Sequence, residues 1–172
     1  IQQINAQFTR RDSLQGGLRI ERTSYDVKRY DLNITINPEQ KSIKGFNEIS
    51  FEVMVPTQKI QLDLFDNMKV DSIVWNTKKL KYNRDNDAVF IDFPEKLASK
   101  SNHKLKFYYS GNPKIAKNAP WDGGFVFKKD SNGKDFIGVA VQGTGASLWY
   151  PVKDSQTDEP DIGASIKVAV PN

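Results

Sequence analysis

The sequence predicts an all-β fold, an antiparallel β-sandwich, on three observations. Apolar residues recur at every second position in six separate runs, the mark of strands with one buried face. Turn residues interrupt those runs about every dozen positions, the spacing of short antiparallel strands. No segment offers a sustained 3.6-residue period with caps, so no helix is expected beyond a short turn after Pro94.

The elements follow in order. Residues 1–22 lack period-two order, carry Gly16-Gly17 and read as a lead-in segment, with one β domain over 23–172. Tyr30, Leu32, Ile34 and Ile36 alternate with Asp31, Asn33 and Thr35 as a half-buried strand, which Asn37-Pro38-Glu39 turns. Ile49, Phe51 and Val53 form the next run, then Ile60, Leu62 and Leu64, with Gln61 and Asp63 on the polar side. A polar turn over 83–87 precedes Val89, Ile91 and Phe93, and Leu105, Phe107 and Tyr109 follow. Asn132-Gly133 between Phe125-Val126-Phe127 and Phe136-Ile137 predicts a hairpin closed by a type I′ turn. Ile166, Val168 and Val170 make the last alternation, and the chain then stops at Pro171-Asn172, which reads as a cut at a domain boundary.

Composition limits the chemistry. The 172 residues suffice for one domain with a packed core, and ten Phe, six Tyr and three Trp argue against disorder. The apolar runs are too short to span a bilayer. With no Cys there are no disulfides, thiolate ligands or cysteine nucleophiles, and one His, His103, cannot build a zinc site alone. The net charge is only +4, and its 25 basic and 21 acidic residues are interspersed, so no nucleic-acid partner is expected.

Five constellations were candidates for function. His103, in the polar stretch 98–104, reads as an exposed loop histidine. Asp130 to Asp135 resembles the start of a calcium loop, but Lys134 takes a ligand position and Val141 stands where the bidentate Glu belongs, so a hairpin turn is the better reading. Asp154, Asp158, Glu159 and Asp161 form an acidic loop stiffened by Pro160, read as turn formers. Trp121, Trp149 and Tyr150 stand beside turn residues and read as buried; exposed, they would suit a carbohydrate or protein ligand in a stand-alone binding module. In the fifth, an apolar strand over 139–141 runs into Gln142, Gly143, Thr144 and Gly145. The two glycines let the backbone turn sharply and leave little bulk around Gln142, whose amide offers both an acceptor and a donor.

At that segment the sequence resembles the amino-terminal domain of the aminopeptidase N family of zinc metallopeptidases, which includes leukotriene hydrolase. The resemblance runs through 30–36 and 43–45, Ile60-Gln61-Leu62-Asp63-Leu64, Tyr108-Tyr109-Ser110-Gly111-Asn112-Pro113, Gln142-Gly143-Thr144-Gly145-Ala146, Trp149-Tyr150-Pro151 and Ile166 to Pro171. It implies a saddle-like β-sandwich that packs on a catalytic domain absent from this chain, since the family's Gly-Ala-Met-Glu-Asn and His-Glu-x-x-His motifs do not occur here. Zinc would belong to that domain and none to this chain. The resemblance also implies peptide as the substrate and Gln142 as its binding residue, receiving the free α-amine, with Gly143 as a backbone neighbour and no catalytic residue. Many members have Gln or Glu where Ala140 stands and Arg where Ser147 stands, so only Gln142 and Gly143 are carried over.

Overall fold

The computed structural model describes residues 8–171; the first seven residues of the expected lead-in, and Asn172, lie outside the described residues. Two short helices open it. Thr9 caps α1 (Arg10–Gly16): its Oγ1 accepts the Asp12 N–H at 3.2 Å, and the Asp12 carboxylate accepts the Thr9 N–H at 2.8 Å. The helix α2 (Ile20–Thr23) follows after Gly17. Both are too short to show a 3.6-residue period, and Leu14 is the one apolar side chain they bury.

The strands come in chain order as β1 (Tyr25–Asn37), β2 (Ser42–Val53), β3 (Thr57–Asp63), β4 (Met68–Trp75), β5 (Lys78–Lys79), β6 (Lys81–Asp85), β7 (Ala88–Leu97), β8 (Asn102–Gly111), β9 (Gly124–Lys129), β10 (Asp135–Ala140) and β11 (Ala164–Ala169). A six-stranded sheet has the order β11-β1-β2-β8-β4-β5, a three-stranded sheet the order β3-β7-β6, and β9 pairs with β10. Every pairing is antiparallel except β1 with β11, which is parallel. Leu32, Ile49, Phe51, Phe107 and Tyr109 of the large sheet meet Ile60, Leu62, Ile91 and Phe93 of the small one in a single buried cluster. The architecture is the mostly antiparallel β-sandwich that the alternation predicts.

Four elements depart from the expectations, each for a local reason. The strand β4 was not legible because a bulge between Val70 and Ser72 shifts its alternation mid-strand. The polar stretch 81–85 is an exposed edge strand instead of a turn, and the turn is Asn86 with φ 52°. Pro94 starts no helix: it lies inside β7, where the pairing with β3 slips between Thr57 and Lys59 and no ladder N–H is demanded. In the β9–β10 hairpin only Gly133 has positive φ (78°), so the turn is not type I′. The Asp130 carboxylate closes it by accepting the Asn132 and Lys134 N–H groups, each at 2.8 Å.

His103 also differs from its reading. It belongs to β8 and faces inward, half-buried between the Phe51 and Trp75 rings, with centroids 5.6 and 5.7 Å away. The strand β11 closes one edge of the large sheet, yet its apolar row stays open to solvent: Ile166 is 57% and Val168 50% exposed, and Val170 beyond it 59%.

Candidate functional site

The segment that carries Gln142 leaves β10 and folds back over the sandwich. Val141 O accepts the Thr144 N–H at 3.1 Å and the Gly145 N–H at 3.0 Å, closing a tight turn with Gln142 exposed on it. Gly143 and Gly145 have φ of 69° and 80°, the left-handed region that side chains resist. A 3-10 turn over Ala146–Leu148 follows, and Val152 then bridges to Asp63 at the end of β3 through N–H···O bonds of 2.8 and 3.1 Å.

Gly143 and Gly145 border an open groove of about 870 Å³. Its far wall is Gln15, Gly16 and Leu18 of the lead-in, and its floor includes Asp154 and Thr157. The lead-in therefore shapes the space beside the Gln142 turn. Another groove, about 660 Å³, lies on the outer face of the large sheet beside Phe46 and Tyr108 and does not involve this turn.

Beneath the turn lies a buried polar network that the alternation pattern concealed. Gln61 and Asp63 occupy the nominally polar side of β3, but both are fully buried because α1 and α2 cover that face. Arg22 Nη1 donates to Asp63 Oδ2 at 2.6 Å, and Arg22 Nη2 donates to the Asp154 carbonyl at 2.5 Å. Gln61 Nε2 donates to Asp63 Oδ1 at 2.6 Å and to the Leu14 carbonyl at 3.1 Å. Burial pushes the Asp63 carboxyl up; the Arg22 guanidinium, the Gln61 amide and the Asp154 N–H pull it down. All of these partners donate, so the carboxylate is the form this cage accommodates. Arg22 sits in a segment without periodic order, and Asp63 looks like a solvent-facing strand residue. Gln61 and Asp63 fit a regular polar–apolar alternation, so no signal in the sequence marked their face as covered.

The acidic loop is used for holding the chain together. Asp154 Oδ2 accepts the Ser147 N–H at 3.1 Å and the Ser147 hydroxyl at 2.6 Å. Asp158 pairs with buried Lys153, which also donates to the Tyr25 carbonyl at 2.6 Å and lies over the Tyr25 ring. Asp161 pairs with Lys28 at 2.7 Å, and Glu159 is exposed. Among the described residues no group of three or more His, Cys, Asp or Glu could hold a metal ion.

The aromatic candidates separate. Trp149 and Tyr150 pack on the core with ring centroids 4.7 Å apart. Trp121, expected to be buried, is 78% exposed. Among the described residues no helix is long and apolar enough to cross a membrane.

Comparison with known proteins gives a consistent set of matches. The model of the peptidase M1 N-terminal domain matches residues 26–171. Among solved structures, an M1 zinc metallopeptidase from Deinococcus radiodurans bound to a Tyr-Ser-Ala substrate is 20% identical with a TM-score of 0.67, covering 87% of this chain and 33% of that one. Yeast LTA4 hydrolase in complex with bestatin is 16% identical with a TM-score of 0.66, covering 86% of this chain and 24% of that one. The chain thus spans a third or less of the solved proteins it matches. No curated protein matches it.

Proposed function

The chain belongs to the peptidase M1 N-terminal domain family, and from that premise we propose that it forms the non-catalytic wall of the cleft in a zinc aminopeptidase, with Gln142 receiving the free α-amine of a peptide substrate. The observation that carries this reading is the exposure of Gln142 on a glycine-flanked turn that is braced from below. An ammonium group is a strong donor, and a fixed Gln carbonyl accepts from it without adding charge. Gly143, with nothing within contact range of a Cβ, leaves the backbone beside Gln142 open to a ligand.

Selectivity for a chain end follows from the same geometry. A wall that closes one end of a cleft admits a terminus and excludes an internal peptide, and an amide covered by bound substrate must be paired to avoid a desolvation cost. Zinc and the groups that act on the scissile bond belong, in this reading, to a catalytic domain outside the chain. The exposed apolar row of Ile166, Val168 and Val170 offers that domain a surface, since this row continues the core side of the large sheet beyond its cover.

The binding-module alternative keeps one exposed aromatic, Trp121, because Trp149 and Tyr150 pack against the core. The reading is tested in the intact protein that contains this chain, by comparing the kinetics of Gln142→Ala on peptides with free and acetylated amino ends. A selective loss on free-amine peptides supports it, and unchanged kinetics remove Gln142 from the site.

A further inference from the structure

The turn that carries Gln142 has little to hold it in place by itself. Its internal hydrogen bonds all converge on the Val141 carbonyl, and both of its glycines sit in the left-handed region. What fixes it lies one step further on, at Asp154. The Asp154 carboxylate takes both the N–H and the hydroxyl of Ser147, in the 3-10 turn that directly follows Gly145. A Cβ at Gly145 would collide with that same carboxylate, so the two are in close contact. Nor can Asp154 swing away: its N–H donates to Asp63 Oδ2 at 3.1 Å and its carbonyl accepts from Arg22. Asp63 in turn is held by Arg22, by Gln61 and by its backbone bridge to Val152.

We propose that Asp154 is a positioning residue, seated by Arg22 and Asp63, that sets the place of the Gln142 turn and makes the lead-in helix α2 a working part of the substrate site. The proposal rests on the reading of Gln142 as the amine acceptor for its kinetic consequence, but not for its structural one. Asp154 touches no substrate in this scheme; it acts through Ser147 and Gly145.

The test uses the intact protein that contains this chain. Asp154→Ala should raise amide hydrogen exchange across 144–149 by about tenfold or more while leaving β2 and β8 protected. It should also lower kcat/KM for free-amine peptides by about tenfold. Combined with Gln142→Ala, it should cost nothing further, because a displaced and an absent amide are equivalent. Asp154→Asn, which keeps an acceptor for the Ser147 N–H, should restore most of both. Ser147→Ala, which removes the hydroxyl that the Asp154 carboxylate accepts from and leaves the buried pair in place, should reproduce part of the exchange effect if Asp154→Ala folds poorly. Unchanged or uniformly raised exchange, or fully additive kinetic losses, would overturn the proposal. If Gln142→Ala alone leaves kinetics intact, the substrate reading fails, and the exchange result by itself decides the clamp.

Discussion

Arg22 and Asp63, 41 positions apart, form a buried ion pair at 2.6 Å, with side chains 3% and 0% exposed. The pair ties α2 of the lead-in to the end of β3. Removing one partner strands the other charge in the interior. Arg22→Ala should therefore cost about 3–5 kcal/mol in a denaturant titration. The double replacement Arg22→Met with Asp63→Leu should recover much of that loss. A single substitution costing less than about 1 kcal/mol would mean that water reaches the pair.

Gln142→Ala should leave the unfolding midpoint unchanged, since the side chain is exposed. In the intact protein it should lower kcat/KM on free-amine peptides by about 1–3 kcal/mol, the worth of one charged hydrogen bond. Steady-state kinetics on matched free and blocked peptides check this.

His103 gives the fold a pH dependence of defined sign. Burial between Phe51 and Trp75 holds its imidazole below the usual histidine value, and Glu95 opposes this only in part. The unfolded chain then binds the proton more readily than the folded one. This contribution to stability is complete above about pH 6.5 and is lost as the pH falls through the folded value. Chemical denaturation at about pH 7.5 and about pH 5.5 should show a larger loss for the natural sequence than for His103→Phe. Equal losses would place the titration elsewhere.

The open edge at β11 should make the chain self-associate when it is on its own. Its Ile166 and Val168 are half exposed, and the outer backbone groups of an edge strand are a template for pairing. Ile166→Lys with Val168→Lys should shift a concentrated sample toward monomer in sedimentation velocity. A natural chain that stays monomeric throughout the same range would show that this edge does not stick.

Much of the sandwich was written in residue periodicity. Tyr30 to Ile36, Ile49 to Val53 and Leu105 to Tyr109 announce strands because a pleated backbone with one buried face needs alternating polarity. That signal fails where the geometry breaks the period, as at the β4 bulge, and where exposure removes the need for apolar residues, as in β6. The glycine-rich setting and the family resemblance pointed to Gln142 as a candidate, and its exposure on a tight turn is what the structure adds.

The support beneath Gln142 was not legible. Gln61 and Asp63 obey the strand alternation perfectly and still end up inside, because the face they point to is covered by α1 and α2 from the lead-in. Local sequence determines which residues alternate along a strand, since that depends on neighbours two positions apart. Which of its two faces meets solvent depends on what packs there from tens of residues away. Tertiary structure alone decided that Arg22, Asp63 and Asp154 would converge, because their contacts satisfy groups that only a finished fold removes from water.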